Sequence, residues 1–370
     1  MDSLLSKTDD GVNARQIAFF AAFVLPIYKL LELPSLLARF AEGDLLLPAL
    51  LQFLLQTGVI VGLLYAASRS PKTLFERLEE RFGKWSKLFY GGYAFVFLFS
   101  AVLPLLDLEK FVYAVFYDTS PTLFSFAAFF IFSAFLCVKG VKALGRIGDL
   151  SLFLFLLPFL ALIVMSLVEA DITNLLPFFE KPFSATVSGI TYTTPHFLDA
   201  LFLLPLIGNL RFKKRDGVKI TAGYLSGAAL TLLFLAVFYG VYSSIALRKH
   251  YAFAKIAQYF PVLSVVGRID LLFVYLLCVV LFFYVATPLR NAVAYTAKAS
   301  GVQSKTLLSF IINLGAFLFV LFCNKYYDSI YAFFGKYSFP VFWVFACLLP
   351  LLFLFLTDKK KSKTKESPHA

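Results

Sequence analysis

Residues 25–34 read LPIYKLLELP and residues 194–205 read TPHFLDALFLLP, and each stretch lies inside a long apolar segment. Each contains a proline, two ionisable residues three positions apart, and then a leucine-proline step. A proline inside a helix removes a backbone hydrogen bond and usually kinks or breaks the helix. Free backbone groups inside a bilayer are tolerated only where protein or water satisfies them. The two stretches therefore predict two interrupted membrane helices whose breaks face the protein interior.

The rest of the chain has the composition of a membrane protein. Of its 370 residues, 60% are hydrophobic and only 15% are charged, whereas soluble domains have about 25% charged residues. The apolar residues form runs of about 18 to 25, the length at which an α-helix crosses the hydrocarbon core. A transmembrane β-barrel would show short alternating segments instead. We expect an all-α polytopic membrane protein with about ten transmembrane helices, at roughly 16–38, 45–68, 88–108, 121–138, 148–168, 186–209, 219–246, 269–290, 304–323 and 338–357.

The two predicted breaks occupy matching positions in two halves of the chain. Five spans lie within residues 16–168 and five within 186–357, and an interrupted helix opens each half. An odd number of spans per half inverts the second half relative to the first. Matching interrupted helices in inverted repeats are typical of transporters with a central binding site. Residues 1–15 and the lysine-rich tail 358–370 are expected to be cytoplasmic extensions.

The positive charges predict which side of the chain faces the cytoplasm. Twenty-four Lys and Arg residues fall on the side that carries both termini and nine on the other. Because positive loops stay in the cytoplasm, both termini are predicted to be cytoplasmic. The net charge of +12 lies in loops between apolar spans, which favours contact with anionic lipid and argues against nucleic acid as a partner.

Two stretches outside the spans are also informative. Within PKTLFERLEERFGKW (71–85), apolar residues recur at helical spacing, which predicts an amphipathic helix on the inner membrane surface. The weakly polar stretch at 248–270 is predicted to cover the outer face before the eighth span. The apolar positions of the first stretch are Leu74, Phe75, Leu78, Phe82 and Trp85.

Once loop residues, tyrosines and cysteines are set aside, four ionisable residues remain within the predicted spans: Lys29, Glu32, His196 and Asp199. A charge at the bilayer centre costs about 2.5–3.5 kcal/mol on insertion scales, so such residues are functional candidates. Glu32 is the expected partner of Lys29 because it lies three residues further on one helical face. Asp199 is a second partner if the two breaks face each other. Two interpretations stay open, a Lys29–Glu32 pair that only stabilises a kink and a ligand-binding site, and His196 is interpreted as polar filler.

The sequence predicts neither an enzyme nor a cofactor. It has no nucleophile–base pairing, metal-ligand spacing or phosphate loop, and the four cysteines show no C-x-x-C spacing. No metal site is expected. The predicted ligand-binding residues are Ile27, Tyr28, Lys29, Glu32, Thr194, His196, Phe197 and Asp199, and the predicted structural residues at the breaks are Pro26, Pro34, Pro195 and Pro205.

Four further stretches, in a fixed order and spacing, resemble a known family: SPKTLFERLEERFGKW (70–85), GVKALGRIGDLSLF (140–153), DITNLLPFF (171–179) and FPVLSVVGRID (260–270). Over residues 15–357 the chain resembles the B subunits of GerA-type nutrient germination receptors, the spore permease family. That family belongs to the amino acid–polyamine–organocation superfamily, which implies a five-plus-five inverted-repeat (LeuT-like) fold. The resemblance also implies a place in the bacterial inner membrane of the spore and a small nutrient ligand, often an amino acid. The implied partners are an A-type membrane subunit and a C-type lipoprotein.

Individual positions agree with the family pattern or depart from it. Asp199 matches the family's acidic position, and Arg268 with Asp270 matches the charged start of the eighth span, which implies a structural or gating role. The residues Ile27, Tyr28 and Lys29 stand where the family usually has small, glycine-containing sequence. Phe197 stands where glycine is common.

Three functions are consistent with these residues. The leading hypothesis is a receptor subunit that binds a small, amino-acid-like ligand between helices 1 and 6 and signals to partner subunits. An alternative is proton-coupled transport of a small solute such as an amino acid, with Lys29 in the position of a coupling cation. A third is a scaffold with a degenerate pocket, suggested by the bulk of Ile27, Lys29 and Phe197.

Overall fold

The computed structural model describes residues 12–116, 122–177, 179–259 and 269–355, and within these ranges all regular structure is helical. The first half contains α1 (Ala14–Lys29), α2 (Leu33–Ala41), α3 (Leu46–Ser68), α4 (Leu74–Phe82), α5 (Ser86–Phe116), α6 (Thr122–Val138) and α7 (Val141–Leu167). The second half contains α8 (Phe183–His196), α9 (Asp199–Gly208), α10 (Asp216–Tyr242), α11 (Ala252–Tyr259), α12 (Ile269–Ser300), α13 (Lys305–Cys323) and α14 (Tyr327–Trp343).

Six helical segments in the described ranges are long and apolar enough to cross a membrane, and eight if each bent helix pair counts as one span. One of the six runs for 51 residues, from Lys305 to Phe355. A continuous helix of that length would measure about 77 Å, more than twice the hydrocarbon thickness. A turn at Asn324–Tyr326 divides it into α13 and α14. The count of ten spans and the domain boundaries at 15 and 358 stay predictions.

Both predicted interruptions are present. The chain bends by 60° between α1 and α2 and by 41° between α8 and α9. Pro34 lies in the first turn of α2, and Pro195 lies in the short 3-10 turn that ends α8. Proline fits a first helical turn because the amide that it lacks has no partner there. Pro26 and Pro205 lie within helical segments instead of at the breaks.

Glycines place α1 at the centre of the bundle. A Cβ atom on Gly223 of α10 would lie 2.5 Å from the carbonyl oxygen of Ala18, and one on Gly227 would lie 2.7 Å from that of Ala21. On the opposite side, a Cβ on Gly148 of α7 would lie 2.5 Å from the carbonyl oxygen of Gln16. Small residues let helix backbones approach closely inside a membrane. The first interrupted helix therefore packs closely against both α7 and α10.

The predicted amphipathic helix is α4. Thr73 caps it: the Glu76 amide donates to the Thr73 hydroxyl at 3.2 Å, and the Thr73 amide donates to the Glu76 carboxylate at 2.8 Å. Leu74 and Phe75 are buried, whereas Trp85, just after the helix, is 74% exposed. An amphipathic helix that lies along a membrane has both kinds of apolar residue, some packed on the bundle and some facing lipid.

Candidate functional site

The two breaks meet at an ion pair between Lys29 and Asp199. Lys29 is the last residue of α1 and Asp199 is the first residue of α9. The Lys29 Nζ and Asp199 Oδ1 atoms lie 2.6 Å apart, and the side chains are only 1% and 2% exposed. A helix favours a cation at its C-terminus and an anion at its N-terminus. Each charge therefore lies at the helix end that stabilises it.

The expected partnership of Lys29 with Glu32 is wrong. Because α1 ends at Lys29, residues 30–32 form a turn and the two side chains no longer share a helical face. The Glu32 carboxylate lies instead 3.1 Å from Nδ1 of His250, in the segment that leads into α11. The proposed kink pair is thus replaced by two pairs, each of which joins distant parts of the chain.

Aromatic side chains enclose the Lys29–Asp199 pair. The Tyr224 hydroxyl on α10 donates to the second carboxylate oxygen of Asp199 at 2.8 Å. The Lys29 ammonium lies 5.3 Å from the ring centroid of Phe197 and 5.7 Å from that of Phe53. An ammonium at these distances from an aromatic ring is attracted to the π electrons. The pair is thus held in a closed, largely apolar chamber.

A second buried carboxylate, that of Asp107, lies on α5. Asp107 is fully buried and accepts hydrogen bonds from the Tyr28 hydroxyl at 2.6 Å and the Tyr327 hydroxyl at 2.7 Å. The ring of Tyr28 stacks on His196 at 4.8 Å and on Tyr284 at 5.1 Å. Neither ring nitrogen of His196 makes a hydrogen bond within the described residues. Through Tyr28, this aromatic stack connects Asp107 to His196 at the second break, between α8 and α9.

Three ionisable residues outside the predicted set of four are also buried within the helical bundle. Asp107, Glu109 and Arg290 are 0%, 3% and 3% exposed. Asp107 and Arg290 stand at the very ends of the predicted spans 88–108 and 269–290, and Glu109 stands just beyond the first, so all three were set aside with the loop residues. In the structure α5 continues to Phe116 and α12 to Ser300, and all three residues lie within helices. A longer helical pattern that continued through these charges was the signal that could have found them.

The backbone groups freed at the breaks are satisfied by protein. The carbonyls of Leu30 and Leu31 accept hydrogen bonds from the amides of Phe253 and Ala252, at 3.2 and 2.8 Å. In this way the start of α11 covers the first break. The position on the outer face predicted for this stretch stays a prediction. At the second break, the Gln56 side chain accepts from the Ala200 amide at 3.0 Å.

Two glutamines of α3 form hydrogen bonds on both sides of the second break, which lies between α8 and α9. Gln52 donates to the Thr193 hydroxyl at 2.6 Å, before the break, while Gln56 accepts from Ala200 after it. Neither glutamine was among the predicted site residues. Two glutamines four residues apart in an apolar span share one helical face, and this spacing was a usable signal.

The remaining predicted residues are placed as follows. Ile27 is fully buried, and the Thr194 hydroxyl donates to the Ile190 carbonyl of its own helix at 2.8 Å. Arg268 and the side chain of Asp270 lie outside the described residues, as does most of the FPVLSVVGRID stretch. No group of three or more His, Cys, Asp or Glu side chains in the described ranges could hold a metal ion.

A sequence profile of the family described as spore germination protein matches residues 29–327, which include both Lys29 and Asp199. This chain belongs to the spore germination protein family. The resemblance found in the sequence is therefore confirmed at the level of the family. Membership implies involvement in a germinant receptor complex and, with the apolar helices, identifies a membrane protein.

Solved structures share the fold of this family member. MhsT in complex with L-phenylalanine is 14% identical, with a TM-score of 0.64 over 94% of this chain and 92% of that one. A mutant manganese transporter of Eremococcus coleocola is 13% identical, with a TM-score of 0.56 over 92% of this chain and 77% of that one. No curated protein matches the chain in sequence. The predicted LeuT-like fold with interrupted first and sixth helices is confirmed. Family and fold together support a role in nutrient binding or transport at a membrane.

Proposed function

We propose that the chain is the B-type membrane subunit of a nutrient germinant receptor in the spore inner membrane. It binds a small zwitterionic nutrient, such as an amino acid, between the two helix breaks. Binding is passed to an A-type membrane subunit and a C-type lipoprotein. The observation that carries this proposal is the buried ion pair between Lys29 and Asp199, 2.6 Å long, at the facing ends of α1 and α9.

The chemistry of this pair favours a ligand that carries both charges. A ligand carboxylate binds the Lys29 ammonium and a ligand ammonium binds Asp199, so the zwitterion replaces one internal pair by two. Breaking a buried pair without such compensation costs about 3–5 kcal/mol. A ligand with a single charge leaves one partner unpaired, and the site therefore discriminates against it.

Replacement of the Lys29–Asp199 ion pair by contacts with the ligand also supplies a signal. In the closed state Lys29 and Asp199 hold α1 and α9 together, and an inserted ligand separates them. A ligand shifts a two-state equilibrium only as far as its affinity differs between the states. The zwitterion has this difference because it binds the separated charges. The altered position of α9 is then available to partner subunits.

The test uses Lys29→Met, Asp199→Asn and the double variant, in spores that carry the partner subunits. Each single variant leaves a buried charge unpaired, so loss of response alone could reflect misfolding. The double variant removes both charges, which restores the protein level but not the response to the nutrient. Lys72→Met is the matched control because Lys72 pairs with Glu80 at the surface, where both side chains are 49% exposed. A normal nutrient response in Lys29→Met or in the double variant overturns the proposal.

Transport is the second candidate, and the shared fold with MhsT and the manganese transporter favours it. Here the Lys29 ammonium takes the place of a coupling cation, and a proton gradient drives uptake. Flux of a labelled amino acid into liposomes that contain the purified chain supports transport. Binding without flux supports sensing.

A scaffold with a degenerate pocket is the third candidate. It is favoured by the close packing of Ile27 and Phe197, which are 0% and 1% exposed. In a scaffold, pocket variants change the nutrient response only in proportion to the amount of assembled receptor.

A further inference from the structure

A cavity of about 300 Å³ lies next to the ion pair, between α3, the second helix break and the end of α14. Its walls include Gln52, Gln56, Phe197, Phe342, Ala346 and Cys347. The last two belong to a π-helical turn, Val344–Leu348, that follows α14. Turns of this kind are rare and often occur at functional sites.

Phe197 separates this cavity from Lys29. One side of its ring faces the Lys29 ammonium at 5.3 Å, and the residue also lines the cavity. Phe197 is one of two residues between α8 and α9, so it belongs to the break itself and not to either helix.

The polar groups of the cavity lie on the side of the break. Gln56 accepts from the Ala200 amide at 3.0 Å, and its amide group approaches the sulfur of Cys347 at 3.8 Å. The inner walls are apolar and buried, since Phe342 and Ala346 are 1% and 2% exposed, whereas Leu55 lies at the open side and is 39% exposed. A volume near 300 Å³ is at the lower end of ligand pockets, which suits one apolar side chain better than a second whole ligand.

We propose that this cavity receives the apolar side chain of the zwitterionic nutrient, with Phe197 as the movable wall that determines its size. The inference rests on the proposed function, because the charged end of the same ligand occupies Lys29 and Asp199. Ligands without a side chain bind at the ion pair alone. Ligands with an aliphatic side chain gain the additional contacts of the cavity.

The first experiment measures binding of labelled glycine and L-leucine to the full chain in lipid nanodiscs. Ala346→Phe fills the cavity, and Ala332→Phe adds the same bulk at an exposed position of α14. A difference of one methylene in an apolar pocket changes affinity about 10-fold or more. We expect Ala346→Phe to weaken L-leucine binding at least about 10-fold and to leave glycine binding unchanged, while Ala332→Phe alters neither.

The second experiment uses Cys347 as a native reporter and does not depend on a bulky substitution. Cys137, Cys278 and Cys323 are replaced by serine, and the alkylation rate of Cys347 by a small thiol reagent is measured. L-leucine is expected to slow the reaction several-fold, and glycine is not. This readout reports occupancy of the cavity itself.

The outcomes separate the two proposals. If neither probe nor any other amino acid binds the wild type, the zwitterion site is wrong and the cavity inference falls with it. If both probes bind but Ala346→Phe affects them equally, or L-leucine leaves Cys347 unprotected, only the cavity inference is overturned. Protection of Cys347 by lipid alone, in nanodiscs but not in detergent, assigns the cavity to an acyl chain and also overturns the inference.

Discussion

Gly208, the last residue of α9, lies directly under the ring of Phe75. A Cβ atom on Gly208 would lie 2.3 Å from Cε2 of that ring, closer than packed carbon atoms approach. Phe75 belongs to the amphipathic helix α4 and is buried, and Gly208 ends the helix that begins at Asp199. The helix α9 therefore contributes Asp199 to the ion pair at its start and contacts α4 at its end.

Gly208→Ala is expected to destabilise the chain by about 1–3 kcal/mol because the added methyl group overpacks this contact. Gly58→Ala is the matched control, since a Cβ at Gly58 meets nothing within 4 Å and alanine favours helix by about 0.5–1 kcal/mol. Thermal unfolding of the purified variants in lipid measures both. Phe75→Leu should rescue part of the Gly208→Ala loss. A melting temperature equal to that of the wild type would show that Phe75 does not constrain α9.

The Lys29–Asp199 pair gives a stability cycle that is independent of any ligand. Lys29→Met and Asp199→Asn should each cost about 3–5 kcal/mol because each leaves its partner charged and buried. The double variant should cost much less than the sum of the two. Denaturant unfolding in mixed micelles measures the coupling energy. Simple additivity of the two losses would mean that the side chains are not paired in the folded protein.

The two hydrogen bonds to Asp107 give a second stability prediction. Tyr28→Phe and Tyr327→Phe each remove one of its two hydroxyl donors, and each is expected to cost about 1–3 kcal/mol. Tyr326→Phe, at a residue that is 55% exposed, should be neutral. Thermal melts check the three variants. An unchanged melting temperature for Tyr28→Phe would show that the hydrogen bond from Tyr28 to Asp107 does not stabilise the fold.

The contact between Glu32 and His250 predicts a pH dependence for the cover over the first break. The hydrogen bond to Glu32 raises the pKa of His250 above its ordinary value. The contact is therefore complete below pH about 6.5 and is lost as the pH rises through the higher pKa of the folded state. Because the His250 side chain is 68% exposed, solvent screens the pair and the effect on global stability is small.

Hydrogen exchange at the Ala252 and Phe253 amides, corrected for intrinsic rates, is the sensitive measurement. In the wild type, exchange should accelerate as the pH rises through the pKa that His250 has in the folded state. His250→Ala and Glu32→Gln should both remove this acceleration. Retention of the same pH profile in either variant would assign the titration to another group.

The sequence was a good guide to features that depend on local chemistry. The leucine-proline step at 33–34 located the first break, Pro195 located the second, and the spacing of Leu74, Phe75 and Leu78 located α4. Features that depend on tertiary contacts were beyond it. Glu32 was paired with Lys29 because i to i+3 neighbours meet on a continuous helix, but the helix ends between them.

The partners of these residues come from distant segments. His250 lies 218 positions from Glu32, and a single sequence contains no signal for such a pair. Asp199, 170 positions from Lys29, was predicted only as a second partner, on the condition that the two breaks face each other, and the structure meets that condition. Asp107 was missed for a different reason. Charges were used to mark span ends, whereas α5 continues through them.

The hydrogen bonds from α11 to Leu30 and Leu31 have a consequence for how the first break can open. Two backbone carbonyls at membrane depth cannot remain without donors, so withdrawal of α11 requires water to take over both positions at once. Opening at the first break therefore requires water molecules that bind the Leu30 and Leu31 carbonyls. Excluded osmolytes that lower water activity should therefore disfavour this opening.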